Sequence, residues 1–321
     1  MKEMGGYFEL ELSSGEEYHP KALRLNTARN ALEFLLQRST FSTIYIPFFT
    51  CDAVLEPIQK LNIKFEFYRI DENFEPIFDF SEQSESEAFL YTNYFGIKDN
   101  YIDSLSKKAK NLIIDNAQSF YSEPTIGVGT FYSPRKFFGL PDGGYLYMSN
   151  NDQISESTLQ RDSSVDRFTH LIKRADLSAQ AGYQDFVATD ASLSHQPVKA
   201  MSLITAKLLK SIDYFCVKQR RQANFRYLQK HLEVLNKINL SIDSKQVPMV
   251  YPFWGANNKL KNELIQHSIF TATYWPNVLD WTDSSMLEHK FVTEIVYLPI
   301  DQRYNEEDLN RIIQIIKENE R

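Results

Sequence analysis

Three short stretches of this 321-residue chain set reactive side chains where a folded protein can use them. In Leu112-Ile113-Ile114-Asp115-Asn116-Ala117-Gln118-Ser119 an apolar run ends in a carboxylate. An acid at the C-terminal edge of a parallel strand lies where α/β folds place their ligands, and there it can hold a proton on a ring nitrogen. Gln118, three residues on, can donate a hydrogen bond to an oxygen of the same ring. Asp115 has an equally good ordinary use as the cap of the turn that follows. The second stretch, Gly129-Thr130-Phe131-Tyr132-Ser133-Pro134-Arg135-Lys136-Phe137-Phe138-Gly139, sets a lysine among aromatics. That setting predicts a partly desolvated amine, the state needed to attack a carbonyl. Taken alone, Lys136 is better explained as a surface lysine beside a strand. The third stretch, Asn26 to Leu32, enters a helix, where free N–H groups and the helix dipole favour an anion. Every helix start offers those groups. Amine, acid and anion cradle are three of the four things pyridoxal phosphate asks of a protein, the fourth being contacts to its ring.

In order and wording these stretches resemble the sugar aminotransferases of the DegT/DnrJ/EryC1/StrS family, within the fold-type-I, aspartate-aminotransferase-like pyridoxal-phosphate enzymes. The resemblance is carried by Thr27-Ala28-Arg29-Asn30-Ala31-Leu32, Ile46-Pro47-Phe48-Phe49-Thr50-Cys51, Tyr94-Phe95-Gly96, Asp115-Asn116-Ala117-Gln118, Lys136 through Asp142-Gly143-Gly144, and Leu298-Pro299-Ile300 followed by Asn305 to Leu309. The spacing of Asp-x-Ala-Gln and Lys…Gly-Gly is its specific part. The resemblance implies a catalytic, cofactor-holding Lys136, with Asp115 at the ring nitrogen and Gln118 at the ring oxygen. It puts Thr27, Ala28 and Arg29 around the phosphate. It further implies pyridoxal 5'-phosphate as cofactor, a homodimer with each site near the interface, and amino transfer, with glutamate as donor, to a keto sugar nucleotide. The chain departs from the family at three points. The usual Ser-Phe-His before the lysine is Phe131-Tyr132-Ser133, so Thr130, Ser133 or Arg135 must replace the phosphate-holding serine. The ring-stacking aromatic falls on Cys51, which leaves Phe49 or Tyr94 to cover the ring. The family's His-Gly segment after the lysine gives way to Ala181 to Met201.

The elements that must position these residues follow from periodicity. Ala28, Ala31, Leu32, Leu35 and Leu36 recur at helical spacing behind Thr27, a good N-cap. Strand-like runs follow at Thr43–Ile46, Phe65–Ile70, Ala88–Tyr91, Leu112–Ile114, Phe131–Ser133 and Tyr145–Ser149, several separated by helical patterns such as Ala53–Leu61 and Tyr101–Lys110. Such alternation predicts an α/β fold with a mixed, mainly parallel sheet. From Lys199 to Leu235 the pattern is helical, with Met201, Ile204, Leu208, Ile212 and Phe215 on one face and Arg220 and Arg221 toward solvent. Strands at Val247–Phe253 and Ile295–Leu298, then a helix capped by Asn305, complete a smaller α+β unit. The expected division is a large cofactor-binding domain at 1–205 and a small domain at 206–321.

Composition narrows the class. The chain is 43% hydrophobic and 24% charged, with a net charge of −7 and no basic cluster of the size a nucleic-acid binder needs. Two cysteines, Cys51 and Cys216, suit a reducing cytoplasm. The six scattered histidines, His195 and His289 among them, predict no metal site. No apolar run reaches membrane-spanning length, and the start lacks a secretory pattern. Three other readings stay open: a different pyridoxal-phosphate reaction such as a lyase or dehydratase, a non-catalytic binder of the cofactor or a sugar nucleotide, and a plain nucleotide-binding α/β protein, the last without a glycine-rich motif to support it.

Overall fold

The computed structural model describes residues 4–125, 127–149 and 156–320. Up to Met148 the chain lays down strands β1 (Leu23–Leu25), β2 (Thr43–Pro47), β3 (Lys64–Ile70), β4 (Pro76–Ile77), β5 (Glu87–Thr92), β6 (Leu112–Asn116), β7 (Gly129–Tyr132) and β8 (Gly144–Met148). They form one sheet in the order β1-β8-β7-β6-β5-β2-β3-β4. The strands β3, β2, β5, β6 and β7 are mutually parallel, while β8 and β4 run antiparallel to their neighbours. Every residue of β6 is buried, which is why it appears in the sequence as an unbroken apolar run rather than an alternation.

Helices α1 (Ala28–Leu36) and α2 (Leu55–Lys60) cover one face of the sheet, and α3 (Asp99–Leu105) lies on the other. Thr27 caps α1 by accepting from the Asn30 amide at 3.0 Å, and Ala31, Leu32, Leu35 and Leu36 pack against Leu90, Ile113, Phe131 and Leu146. The opposite face carries Phe49, Tyr91, Ile114, Tyr132 and Tyr145 into the larger core.

Beyond the sheet come α4 (Thr169–Asp176), α5 (Tyr183–Ser192), α6 (Leu203–Lys210) and α7 (Tyr214–Leu232). The helical stretch expected from Lys199 to Leu235 is thus two helices: α6 stops at Lys210 with Ser211 as its C-cap, and Asp213 caps α7 through the Cys216 amide at 2.9 Å. The break turns the expected face: Phe215 is 68% exposed, and α7 buries Val217, Arg221, Phe225, Leu228 and Leu232 instead. Arg221, expected in solvent, is only 2% exposed, whereas Arg220 is exposed. The remaining layer pairs β9 (Val250–Phe253) antiparallel with β10 (Val296–Pro299), and adds α8 (Leu260–Gln266), α9 (Val278–Trp281), α10 (Leu287–Thr293) and α11 (Glu306–Asn319). Strand β9 starts later than the run from Val247 suggests, after Pro248, which has no N–H for a ladder. Asn305 and Asp308 form a capping box on α11, whose Leu309, Ile312, Ile313 and Ile316 are buried as their spacing predicts. No helix among the described residues is long and apolar enough to cross a membrane.

One buried side chain makes the fold sensitive to acid. His19 is 3% exposed, packed among the rings of Tyr18, Phe120, Tyr132, Tyr145 and Tyr147. Its Nε2 lies 2.7 Å from the Phe120 carbonyl and its Nδ1 3.2 Å from the Tyr147 hydroxyl, so a neutral ring satisfies both. Burial drives the imidazole down to about 4. The folded pKa lies below the unfolded one, so the unfolded chain takes the proton first. Stability is therefore lost as pH falls from the unfolded pKa toward the folded one, by roughly 2–3 kcal/mol between about pH 7.5 and about pH 4.5. Urea unfolding of wild type and His19→Gln at the two pH values checks this. The variant should lose less stability on acidification, and equal losses would remove His19 from the account.

Candidate active site

Strand β6 delivers Asp115 to its C-terminal end, paired in register with Thr92 on β5 and Phe131 on β7. The residue is 6% exposed, and its Oδ1 accepts from the Ala117 amide at 2.8 Å. The ordinary use as a turn cap is therefore real, and it occupies only one of the two carboxylate oxygens. Burial raises the carboxyl above its usual range, opposed by the nearby Lys136 charge and the Ala117 N–H. Gln118 sits in the turn just past the strand and is fully buried. Its Oε1 accepts from the Phe95 amide at 3.1 Å, and its Nε2 has no partner. A buried donor without an acceptor costs of the order of 1–3 kcal/mol unless a ligand supplies one. The Tyr94-Phe95-Gly96 turn that grips Gln118 needs glycine at its end: Gly96 has φ +73, and a Cβ there would sit 2.8 Å from the Val247 carbonyl.

Lys136 ends a single turn, Pro134–Lys136, immediately after β7. Contrary to the desolvated setting expected from its neighbours, the side chain is exposed. The reason is directional: Phe137 and Phe138 turn into the larger core, at 3% and 8% exposure, and leave the lysine facing outward. Its Nζ lies 6.0 Å from the ring centroid of Trp275, and its charge acts on both Asp115 and the half-buried Cys51. Burial pushes the Cys51 thiol up, and Lys136 opposes it. Amine, acid, amide and thiol are thus brought to one end of the sheet, where the parallel strands finish.

The two aromatics expected to cover a ring are packed into the interior. Phe49 and Tyr94 are both fully buried, stacked on each other with centroids 5.7 Å apart, and the Tyr94 hydroxyl donates to the Phe49 carbonyl at 2.9 Å. They form the layer beneath the site. Trp275, standing edge-on to Phe49 at 4.8 Å, is the aromatic that fronts Lys136. Nothing in its local sequence marks it beyond a tryptophan before a proline.

At the anion cradle the side chains are otherwise engaged. The Thr27 hydroxyl both accepts from the Asn30 amide and donates to the Asn30 Oδ1 at 2.6 Å. The Arg29 guanidinium turns to Glu56 at 3.1 Å and to the Leu193 carbonyl at 2.9 Å, so it does not reach back over the helix start. What remains at Thr27, Ala28 and Arg29 is backbone at the positive end of α1. Gly143 and Gly144 press against that backbone; the Gly143 amide donates to the Asn26 carbonyl at 2.6 Å, and a Cβ on Gly144 would collide with Thr27 and Ala28. Of the serine substitutes, Thr130 is turned away to Thr125, and Arg135 holds Asp190 at 3.2 Å with its Nε unpartnered. Ser133 follows β7 directly, in step with Phe131 on the α1 face. His195 is exposed near Glu56, and His289 borders Thr282; neither is among the groups gathered at Lys136.

No family model matches the chain. No curated protein matches it either. Solved structures do. A putative sugar aminotransferase from Streptococcus pneumoniae in its PMP form superposes with a TM-score of 0.67 at 14% identity, covering 93% of this chain and 87% of that one. A DegT DnrJ EryC1 StrS aminotransferase from Brucella abortus gives 0.64 at 15% identity over 93% and 86%. A sugar aminotransferase from Micromonospora echinospora gives 0.62 at 15% over 93% and 87%. Likeness at this level of identity establishes a shared fold: the chain has the α/β architecture of these proteins, with its mixed, mostly parallel sheet.

Proposed function

We propose that this chain is a pyridoxal-phosphate-dependent aminotransferase of the DegT/DnrJ/EryC1/StrS type, acting on a keto sugar nucleotide with glutamate as amino donor. The observation that carries the reading is Gln118 Nε2, a fully buried donor with no acceptor, next to a buried acid and in the same site as an exposed lysine. The residues fit the group: Gln118 would meet the phenolic oxygen, Asp115 the ring nitrogen, and Ser133 with the backbone of Thr27, Ala28 and Arg29 the phosphate. Cys51 and Trp275 would flank the ring, with Phe49 behind Trp275. Bound pyridoxal phosphate supplies an aldehyde that captures amines and a ring that withdraws electrons from the carbon bearing them.

The chain's own residues then do the rest. Lys136 would hold the cofactor through its amine and would serve as the base and acid that moves a proton between the donor's α-carbon and the cofactor's C4′. Asp115 keeps the ring nitrogen protonated, and the cation it gains there offsets the burial that raises its own pKa. Gln118 orients the ring through its one free donor. The reading includes a 1–205 and 206–321 domain division, a homodimer and a cytoplasmic location, which the two free cysteines favour.

The test is spectroscopic. Purified protein with added pyridoxal phosphate should show an absorbance band of bound cofactor, and glutamate should bleach it. A band indifferent to glutamate overturns the donor. The absence of any band overturns the cofactor.

A further inference from the structure

Arg221 is the largest fully buried side chain among the described residues, and its hydrogen-bond partners are carbonyls and a side-chain amide rather than an acid. Its Nη1 donates to the Met249 carbonyl at 3.0 Å and its Nε to Gln302 Oε1 at 3.1 Å. Its Nη2 reaches the Phe137 carbonyl at 3.4 Å, and the guanidinium lies 4.5 Å over the Phe137 ring. Gln302 in turn donates to the same Phe137 carbonyl at 2.9 Å. The acid that acts on Arg221 most strongly, Asp301, is already held by Arg303 at 2.7 Å. A buried guanidinium lacking its own carboxylate is expensive to desolvate, and burial pulls its pKa down to about 10. These donors tie α7 to the segment entering β9 and to the loop after β10, and two of them, Arg221 Nη2 and Gln302 Nε2, meet on the carbonyl of Phe137, the residue after Lys136.

We propose that Arg221 and Gln302 are a positioning pair for Lys136, fixing the Phe137 carbonyl from the C-terminal layer and so setting where the lysine's backbone stands. Their consequence for turnover rests on the role given to Lys136 above. The turn holding Lys136 is short, with the Lys136 amide bonded back to Ser133 at 3.2 Å and the Phe137 and Phe138 amides both bonded to the Pro134 carbonyl at 3.0 Å. The pair therefore anchors it from the C-terminal layer, while Arg135 holds Asp190 at 3.2 Å on its other side, and a shift of the small β9–β10 layer is passed through Phe137 to the backbone of the lysine.

Gln302→Glu separates positioning from stability. It keeps the acceptor for Arg221 Nε, now as a carboxylate, but removes the donor and sets a negative oxygen against the Phe137 carbonyl. Gln302→Met is the second variant, removing both bonds without adding charge. The first readout needs no cofactor: competitive acetylation of cofactor-free full-length protein across pH, with Lys136 followed by peptide mass spectrometry against other exposed lysines. Lys136 in Gln302→Glu should change reactivity by about threefold or more relative to those lysines, with the thermal midpoint held at or above wild type. The second readout is turnover, where kcat should fall about tenfold and KM for the amino donor stay within about twofold. Acetylation profiles of Lys136 that superimpose on wild type in both variants overturn the proposal. Should wild type show no cofactor band, the aminotransferase reading fails, and the acetylation profiles still decide the positioning role.

Discussion

Replacing Lys136 with alanine should lower transamination by at least ~10³-fold, since in the proposed mechanism one side chain both anchors the cofactor and carries the proton. The measurement need not wait for the keto substrate to be identified. Borohydride reduction of wild type incubated with pyridoxal phosphate should fix a pyridoxyl group on the peptide containing Lys136, and mass spectrometry should find none in Lys136→Ala. The variant should still fold, because the lysine is exposed and the ring it faces, Trp275, is 6.0 Å away. Pyridoxyl labelling elsewhere in the chain, or an alanine variant of undiminished activity, would remove Lys136 from its role.

Asp115→Asn should produce two effects of opposite benefit. Turnover should drop by about 10²-fold or more, as an amide cannot stabilise a proton on the ring nitrogen. The cofactor-free variant should nevertheless be more stable than wild type at neutral pH. Asp115 is buried, and its folded pKa is raised above the unfolded one, so the unfolded chain gives up the proton first. Wild type therefore loses stability as pH climbs through the unfolded pKa, and regains it below. Asparagine keeps the acceptor for the Ala117 amide and carries no charge to desolvate. Urea midpoints of the two cofactor-free proteins should differ in favour of the variant near pH ~7 and converge near pH ~4. A variant less stable at neutral pH would show that the acid is not held at a cost.

The contrast between legible and illegible parts follows from where each residue finds its partners. Strand β6 and its terminal acid stand out in the sequence because a strand buried on both faces needs an unbroken apolar run. Helix α11 stands out because Asn305 and Asp308 satisfy its start within a few residues. Helix α7 does not. Its buried face includes Arg221, Gln222 and Asn224, whose donors reach carbonyls at Met249, Ser244 and Ile300. Periodicity counts such residues as polar and turns them outward. The same limit hides the Arg29 guanidinium, which is drawn to Glu56 on another helix, and Trp275, which meets Lys136 from the far side of the chain. The aromatic run around Lys136 misleads for a simpler reason: neighbours in sequence on a tight turn point in different directions, so Phe137 is core while Lys136 is surface.

The sheet order has a consequence for synthesis. Strand β1 lies at the edge beside β8, so Leu23–Leu25 have no partner until Gly144–Met148 have been made. A nascent chain leaving the ribosome therefore carries its first strand, and the helix start behind it, unpaired for well over a hundred residues of translation. The parallel strands between can assemble meanwhile, but Gly143 and Gly144 are needed to close on Thr27, and Trp275 and Gln302 come later still. Folding of this chain should therefore be vectorial in its scaffold and post-translational at the Lys136 site, and a ribosome-bound fragment ending before β10 should have a nearly complete eight-stranded sheet without the contacts of Gln302 to Phe137.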